Sequence, residues 1–317
     1  MNKVKIGIIG AGGRANFQAR AIVESGIGEP VIVYSPFEEE VKNFAEKYKI
    51  KYTTSINEIL ENKEINGVTI STPNSTHYEL SKKFLLNNKN VLVEYPPTLK
   101  IEEIDELINI AKEKNLVYWV SLTQLLENPY ITMKKNLNLI GNVLFAFYSW
   151  TSPNLKGWYS QLELCGNIYA WQHYHFISQL IEIFGKVESI SSYKFFEIDE
   201  KGRYKFTYST ITMKFENKTI SHIEFSMGIP QTYRDYFVRF LGSEGLFFFH
   251  NGKLILKNKD GEREIEMEKT NLSEDTKDFL KAIIKKETNV EKAIKAKEIL
   301  NVCIIAERES YGTYKSC

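Results

Sequence analysis

The sequence has few cysteines, no excess of charge of either sign and no long apolar segment. Its three cysteines, Cys165, Cys303 and Cys317, are scattered and form no C-x-x-C pair, so we expect neither a disulfide framework nor a thiolate metal site, and a reducing cytosol suits the chain. The 41 basic and 40 acidic residues leave a net charge of +1, which argues against nucleic acid or an anionic membrane as the partner. No apolar run approaches the roughly 18 residues of a membrane span. The first strand-like run begins at residue 4, leaving no room for a signal peptide, so we expect a cytoplasmic protein.

What the sequence does contain is a change in its predicted secondary-structure pattern near the middle of the chain. Up to about residue 121, apolar strand-like runs alternate with helix-like segments, the pattern of a parallel sheet covered on both faces by helices. From about residue 142, strand-like runs follow one another across short turns, which indicates a mostly antiparallel sheet. The sequence therefore predicts an α/β domain with a doubly wound parallel sheet at residues 1–121, and an α+β domain with a large, open, mostly antiparallel sheet at residues 122–317.

The glycine-rich turn after the first strand carries the clearest chemical signal. The run from Gly10 to Ala15 reads Gly-Ala-Gly-Gly-Arg-Ala and opens a predicted helix, the context in which G-x-G-x-x-A binds a dinucleotide. Gly10 permits the tight turn, Gly12 lets the backbone approach a pyrophosphate, and Ala15 lets helix and strand pack closely. Gly13 and Arg14 are predicted to bind the cofactor within the same turn, and the first amides of the helix predicted over Asn16–Ser25 would face the anionic bridge. The first domain is therefore predicted to be a dinucleotide-binding Rossmann domain.

Further short motifs are spread over the chain. They are Gly-Ala-Gly-Gly-Arg at 10–14, Ile-Ser-Thr-Pro-Asn-Ser-Thr-His at 70–77, Val-Leu-Val-Glu-Tyr-Pro-Pro at 91–97, Cys-Gly-Asn at 165–167, His175 with Phe-Gly at 184–185, and Leu-Gly-Ser-Glu-Gly at 241–245. Together they resemble the glucose-fructose oxidoreductase and inositol dehydrogenase family (Gfo/Idh/MocA) over essentially the whole chain. The resemblance implies a nicotinamide dinucleotide in the first domain, a substrate between the domains, and an open second sheet that often serves as an oligomer interface.

Three positions depart from the sugar-oxidising members of that family. Where those members carry Glu-Lys-Pro, this chain has Glu94-Tyr95-Pro96, and where they carry Asp four residues before a second-domain His, it has Trp171 before His175. Their Asn-x-Arg pair after the last Rossmann strand is replaced by Gln124-Leu125-Leu126. Because the family's lysine and aspartate hold and deprotonate a sugar hydroxyl, the replacements argue against sugar oxidation. The Val-Leu-Val-Glu-Tyr-Pro run instead resembles the biliverdin reductases of the same superfamily.

Tyr95 and His175 are the predicted catalytic residues. A phenol with an ordinary pKa near 10 is a better proton donor than base at pH 7, and hydride transfer onto a C=O, C=N or bilin methine requires a proton on the partner atom. Tyr95 is expected to donate it; the alternative is that it only lines a binding surface. His175 lies on a predicted helix one turn after Trp171, on the face that the family uses for substrate, and is expected to assist; the alternative is a structural histidine. His173 points elsewhere on that helix, so no metal site is predicted.

The remaining cofactor contacts follow from the resemblance. The loop after the fourth strand would line the nicotinamide side of the cofactor, and Glu94 would bond the nicotinamide ribose. The loop residues in question are Thr72, Pro73, Asn74 and His77.

The cofactor is predicted to be NADP or NAD. NAD enzymes usually carry Asp or Glu at the end of the second strand, where this chain has Tyr34-Ser35-Pro36. Without that carboxylate a 2′-phosphate meets less repulsion, and Arg14 or Ser35 could bind it, so NADPH is favoured. Against it, no arginine follows Ser35 and three glutamates, Glu38 to Glu40, lie just beyond.

The expected function is that of an NAD(P)H-dependent reductase acting on a small carbonyl, imine or conjugated ring compound. Gln124, Trp158 and Trp171 are the predicted substrate-binding residues. The alternatives are a non-catalytic binder of a dinucleotide or metabolite, and an atypical sugar or inositol dehydrogenase. The partners expected are a small-molecule substrate and a second copy of the chain bound through the C-terminal sheet; the alternative is that the terminal helices cover that sheet.

Overall fold

A computed structural model describes residues 3–229 and 234–316, with side chains as far as residue 310. The chain divides into two compact units. The first unit comprises Met1–Thr123 and Asn271–Glu298, and the second comprises Gln124–Thr270 and Ile299–Cys317. The boundary predicted after residue 121 stays a prediction; it differs from this division in assigning residues 271–298 to the second domain.

In the described residues, strands alternate with helices up to residue 142, and most of the later strands follow one another directly. The strands are β1 Val4–Ile9, β2 Gly28–Tyr34, β3 Lys51–Thr53, β4 Gly67–Ile70, β5 Asn90–Val93, β6 Tyr118–Val120, β7 Val143–Ser152, β8 Val187–Ile198, β9 Tyr204–Phe215, β10 Ile220–Met227, β11 Asp235–Gly242, β12 Gly245–His250, β13 Lys253–Asn258, β14 Gly261–Ile265 and β15 Ser310–Ser316. The helices are α1 Gly13–Glu24, α2 Glu38–Tyr48, α3 Asn57–Glu61, α4 His77–Leu86, α5 Ile101–Glu113, α6 Asn128–Lys135, α7 Leu162–Cys165, α8 Tyr174–Phe184, α9 Glu274–Lys285 and α10 Glu291–Arg308. No helix within the described residues has the length and apolarity needed to span a bilayer.

The sheet of the first unit has six parallel strands in the order β3-β2-β1-β4-β5-β6. β4 is buried along its whole length, and Val91, Leu92 and Val93 of β5 are buried too, as expected for strands covered on both faces. The strand order reverses between β1 and β4, and in such sheets ligands bind beyond the carboxyl ends of the strands at this point. The predicted doubly wound α/β fold is confirmed.

A helix from late in the chain completes the core of the first unit. Phe279 and Leu280 of α9 are fully buried in one apolar cluster with Ile8 of β1 and Ala15 of α1. The packing is close, since a Cβ placed on Gly28 of β2 would lie 2.8 Å from Leu280 Cδ1. The parallel sheet therefore depends on residues 271–298 for part of its apolar covering.

The second unit is built on a nine-stranded, mostly antiparallel sheet in the order β14-β13-β12-β11-β7-β10-β9-β8-β15. Only the pairs β7–β10 and β8–β15 run parallel within the described strands. α8 covers one face, where Phe176 lies 4.8 Å from Tyr148 between ring centroids. The predicted α+β fold of this part is confirmed as well.

Candidate cofactor-binding site

The turn from β1 into α1 has the geometry that its glycines predict. Gly10 has a φ of +100°, and a Cβ there would lie 2.4 Å from the carbonyl oxygen of Ser71, so a larger residue would be strained and in collision. Around Gly12 and Gly13, in contrast, no heavy atom of the described residues comes within 4 Å of where a Cβ would be. α1 begins at Gly13, and its N-cap residue Gly12 makes no side-chain capping hydrogen bond, so the first amide groups of the helix are available to an anion.

Arg14 extends from this turn to the carboxyl end of β5. Its Nη2 lies 2.9 Å from Glu94 Oε2 and donates to the hydroxyls of Ser121 and Thr123 at 3.4 and 3.5 Å. Burial by itself would lower the pKa of Arg14, but the charge and hydrogen bond of Glu94 raise it above its ordinary value. Arg14 is therefore a fixed positive charge at this edge of the sheet.

The structure does not bring the guanidinium of Arg14 to Ser35. Ser35 follows β2, which is separated from β5 by β1 and β4, a span of about 14 Å at the usual strand spacing. Ser35 instead accepts the amide N–H of Phe37 at 3.3 Å and donates to Glu40 Oε2 at 3.4 Å. The end of β2 itself has no carboxylate, but Glu40 in the first turn of α2 brings one to Ser35.

Glu94 has protein partners on both of its oxygens. Besides Arg14 on Oε2, it accepts a hydrogen bond on Oε1 from Gln18 Nε2 at 2.6 Å, and Gln18 Oε1 accepts one from Thr276 Oγ1 at 2.7 Å. Gln18 and Thr276 are fully buried. The predicted bond from Glu94 to the ribose stays a prediction, but the carboxylate is held in place without it.

Asp275, next to Thr276 on α9, is a second buried carboxylate at this end of the sheet. It accepts a hydrogen bond from Trp119 Nε1 at 3.2 Å and lies 3.6 Å from Lys292. Burial raises the pKa of Asp275, against the charge of Lys292 and the hydrogen bonds that lower it. Sequence analysis missed Gln18, Asp275 and Thr276, because no motif marks partners that lie more than 70 residues from Glu94 or Trp119.

His77 fixes the loop that follows β4. Its Nδ1 lies 2.8 Å from the carbonyl oxygen of Pro96 and its Nε2 lies 2.9 Å from that of Thr72. Burial lowers the pKa of His77, whereas the two carbonyl contacts and the charge of Glu94 raise it. The ring therefore acts on the site by tying the loop after β4, in which Pro73 is half-buried and Asn74 is buried, to the loop after β5.

Tyr95 lies directly after Glu94 and is half-buried. It follows the carboxylate that pairs with Arg14, so its backbone lies at the carboxyl end of β5 next to that ion pair. The structure thus places the glycine turn, Arg14, Glu94 and Tyr95 at one edge of the parallel sheet. That arrangement combines an anion-binding turn with a hydroxyl capable of proton transfer.

In the second unit, His175 lies at the start of α8 and is half-buried. The turn before it, Tyr169–His173, is a π-helix, so the spacing of Trp171 and His175 differs from the α-helical turn that the sequence suggested. Trp171 is buried, and its Nε1 has no hydrogen-bond partner within the described residues. Its ring lies 5.9 Å from Tyr159, which stacks on the predicted substrate residue Trp158 at 3.9 Å.

Gln124 belongs to a buried polar cluster that sequence analysis identified only in part. Its carbonyl oxygen accepts a hydrogen bond from Gln179 Nε2 at 2.8 Å, and the same amide group donates to Glu127 Oε2 at 3.1 Å. Burial raises the pKa of Glu127 to about 7, against the hydrogen bond of Gln179, which lowers it. The charge of Glu127 also raises the pKa values of Tyr148 and Tyr236, both already raised by burial. No sequence motif marks Glu127. What distinguishes it is its buried surroundings in the folded protein, which raise its pKa.

No group of three or more His, Cys, Asp or Glu side chains with metal-binding geometry occurs in the described part of the chain. His173 is buried against Ser209, with Nε2 2.7 Å from Oγ, and burial lowers its pKa to about 3. It is therefore a neutral structural ring.

Comparison with known proteins bears on both units. An uncharacterized oxidoreductase of Streptococcus pneumoniae is 23% identical over 250 residues, which are 76% of this chain and 67% of that protein. The biliverdin reductase of Synechocystis sp. PCC 6803, solved with biliverdin and NADP+, has a TM-score of 0.89 at 21% identity and covers 97% of this chain and 99% of its own. A 3-ketoreductase of Actinomadura kijaniata, solved with NADP, has a TM-score of 0.86 at 16% identity over 99% and 100% of the two chains. At these identities the two structures show a shared fold.

Residues 4–122 match the model of an oxidoreductase family with an NAD-binding Rossmann fold. This segment contains the glycine turn, the loop after β4 and the Arg14–Glu94 pair. The match covers 119 of the 317 residues and agrees, within this segment, with the Gfo/Idh/MocA resemblance that the motifs indicated.

Proposed function

We propose that the chain is an NAD(P)H-dependent reductase in which Tyr95 donates the proton that accompanies hydride transfer. The observation that supports this proposal is the position of Tyr95 directly after Glu94, whose carboxylate pairs with Arg14 of the glycine turn at the carboxyl end of β5. A fixed positive charge stabilises the phenolate that remains after a phenol has given up its proton. The Glu94 carboxylate keeps the guanidinium in that position.

The residues at this edge fit a dinucleotide. The open space around Gly12 and Gly13 admits a pyrophosphate, and the first turn of α1 offers its amide groups to it. When bound, the reduced nicotinamide supplies a hydride to one atom of the substrate double bond. The proton from Tyr95 then goes to the other atom, so that a C=O becomes an alcohol or a C=N an amine.

The proposed substrate is a small carbonyl, imine or conjugated ring compound. Gln124, Trp158 and Trp171 are the proposed substrate residues of the second unit, and His175 is the proposed assisting acid or base. Aromatic rings such as Trp158 and Tyr159 suit a flat conjugated molecule. Biliverdin belongs in the substrate panel because the Synechocystis neighbour binds it.

NADH is the proposed preferred form of the cofactor, which reverses the preference inferred from the sequence. The guanidinium of Arg14 forms an ion pair with Glu94 and is not available to a 2′-phosphate near Ser35. Glu40 lies within hydrogen-bond distance of Ser35. A carboxylate beside the adenosine ribose accepts a 2′-hydroxyl and repels a 2′-phosphate.

The test is a panel of ketones, imines and biliverdin, assayed with NADH and NADPH on the wild type and on Tyr95→Phe. We expect the wild type to reduce at least one class and Tyr95→Phe to lose roughly 10²- to 10⁴-fold in kcat with cofactor affinity unchanged. Tyr52→Phe, at an exposed tyrosine of β3, is the matched control and should keep full activity. Dinucleotide binding without turnover of any class would instead support a non-catalytic binder.

A further inference from the structure

A groove of about 840 Å³ lies at the opposite edge of the parallel sheet from the glycine turn. It is lined by residues at the amino ends of three neighbouring strands: Asn66 precedes β4, Lys89 precedes β5, and Asn115 lies shortly before β6. The end of α9, with Ile283 and Lys286, contributes a further wall. The volume is that of a small-molecule site, and no proposed function accounts for it.

The asparagines of the groove have their acceptor ends occupied. Asn66 Oδ1 accepts the backbone N–H of Lys5 at 2.8 Å, Asn88 Oδ1 accepts Lys114 Nζ at 3.0 Å, and Asn115 Oδ1 accepts Thr288 Oγ1 at 3.3 Å. A backbone N–H and an ammonium can only donate, so the bonds to Asn66 and Asn88 fix which end of those two amide groups is oxygen, whereas the partner of Asn115 is a hydroxyl. Each of the three has an NH₂ group, which can only donate, that these bonds do not use.

Lys89 supplies a buried positive charge in the same lining. It is 5% exposed, and its ammonium donates to the carbonyl oxygens of Asn62 and Ile65 at 2.5 and 3.0 Å. No carboxylate of the described residues forms an ion pair with it, and two carbonyl dipoles compensate a buried charge incompletely. The ammonium retains a third N–H, and burial lowers the pKa of Lys89. A negatively charged ligand in the groove would compensate this cost.

Other charges in the lining leave it net positive. The charges of Lys63 and Lys286 are balanced by those of Glu61 and Glu287, which also line the groove. Lys89 therefore gives the lining a net charge of +1. We propose that this groove binds a small oxyanion, a phosphate or carboxylate group, through the ammonium of Lys89 and the three asparagine NH₂ groups. The site is separate from the dinucleotide turn, because the two sheet edges lie about 13 Å apart along β4.

The experiment is an NMR titration of the full chain with inorganic phosphate and, separately, with citrate, at an ionic strength held constant with sodium chloride. We expect saturable shifts of the side-chain NH₂ signals of Asn66, Asn88 and Asn115 with at least one anion. Tighter binding of phosphate would indicate a phosphorylated ligand, and tighter binding of citrate a carboxylate. Lys89→Met should weaken the binding at least tenfold.

Two further variants keep the test decisive. Asn115→Asp replaces a donor by a negative charge at a position with a φ of +54°, which Asp tolerates, and it should weaken anion binding at least tenfold even if Lys89→Met does not fold. Gly12→Val blocks the dinucleotide turn and should leave the groove signals unchanged. Absence of saturable shifts at the three asparagines, or equal affinity in wild type and Asn115→Asp, would overturn the proposal.

Discussion

The guanidinium of Arg14 lies 2.9 Å from the carboxylate of Glu94, joining the glycine turn to the end of β5 across 80 positions of sequence. Glu94 is almost completely buried, whereas about a third of the Arg14 side chain is exposed. The pair links the part of the site that would bind pyrophosphate to the part that carries Tyr95. Its strength therefore affects both cofactor binding and the proposed proton transfer.

Removing either partner of this pair should destabilise the fold. Glu94→Gln leaves the Arg14 charge without its counter-charge, and we expect the free energy of unfolding to fall by about 2 kcal/mol, less than for a fully buried pair because Arg14 reaches solvent. Urea denaturation of Arg14→Gln, Glu94→Gln and the double variant measures the coupling energy. Strictly additive losses would contradict a direct interaction.

The glycines of the turn should respond differently to substitution. Gly10→Ala forces a Cβ against the Ser71 carbonyl at a positive φ, so we expect about 2 kcal/mol or more of destabilisation in urea. Gly12→Val has space in the protein and should leave the free energy of unfolding within about 0.5 kcal/mol of wild type, while weakening dinucleotide binding at least tenfold by fluorescence titration. Unchanged binding in Gly12→Val would place the pyrophosphate elsewhere.

Dinucleotide choice should depend on Glu40. Replacing Glu40 by Arg removes the carboxylate 3.4 Å from Ser35 Oγ and adds a group that binds phosphate bidentately. We expect the ratio of kcat/KM for NADPH to that for NADH to rise at least tenfold. Glu39→Arg, at the exposed neighbouring position, is the control for a general effect of charge and should change the ratio much less.

Glu127 should make stability depend on pH in a direction opposite to that of most carboxylates. Its pKa is raised to about 7 in the folded protein against about 4.3 in an unfolded chain, so between these values the folded state binds more protons. The free energy of unfolding should therefore lose about 3 kcal/mol as pH rises from 4.5 through 7. His173 acts in the opposite sense below pH 6.5, because burial lowers its pKa to about 3.

The contribution of Glu127 is isolated by comparing wild type with Glu127→Gln in urea at several pH values, since both proteins share His173. The stability of Glu127→Gln relative to wild type should increase with pH over this window. A difference that stays flat would show that Glu127 titrates normally.

The face of the second sheet opposite α8 should mediate self-association, as the family resemblance implies. Phe147 stacks on His222 with centroids 5.9 Å apart and contacts Phe237 at 6.0 Å, and all three are only half-buried. We expect Phe147→Glu to convert an oligomer to a monomer in light-scattering measurements. Leu144→Glu, on the alternate face of the same strand and 54% exposed, should leave the assembly intact. A monomeric wild type would contradict this prediction.

Those parts of the molecule that depend on local pattern could be predicted from the sequence. The run before Gly10 is apolar and β-branched, the turn is glycine-rich, and a helix follows at once. Each of these three elements is determined by its own local sequence. The same reasoning could not identify the partners of Glu94. Arg14, Gln18 and Thr276 surround Glu94 only because α1, the end of β5 and α9 meet in space.

The helix before His175 shows a second kind of limit. Apolar spacing over residues 168–184 predicts one continuous α-helix, but its first turn is a π-helix. Gln172 and His173 in that turn bond Thr207 and Ser209 of β9, and these tertiary bonds have no counterpart in helical periodicity. The substrate residues predicted from that periodicity are therefore the part of the site for which local pattern is least informative.

The dependence of the parallel sheet on α9 has a consequence for biosynthesis. A ribosome releases residues 4–122, the whole segment matched by the oxidoreductase family, long before it reaches Phe279 and Leu280. During that interval Ile8, Ala15 and Gly28 have no cover from α9, and the nascent domain exposes the apolar surface that α9 later buries. The cofactor is therefore expected to bind the glycine turn only after synthesis of the chain is complete and α9 has packed against the sheet.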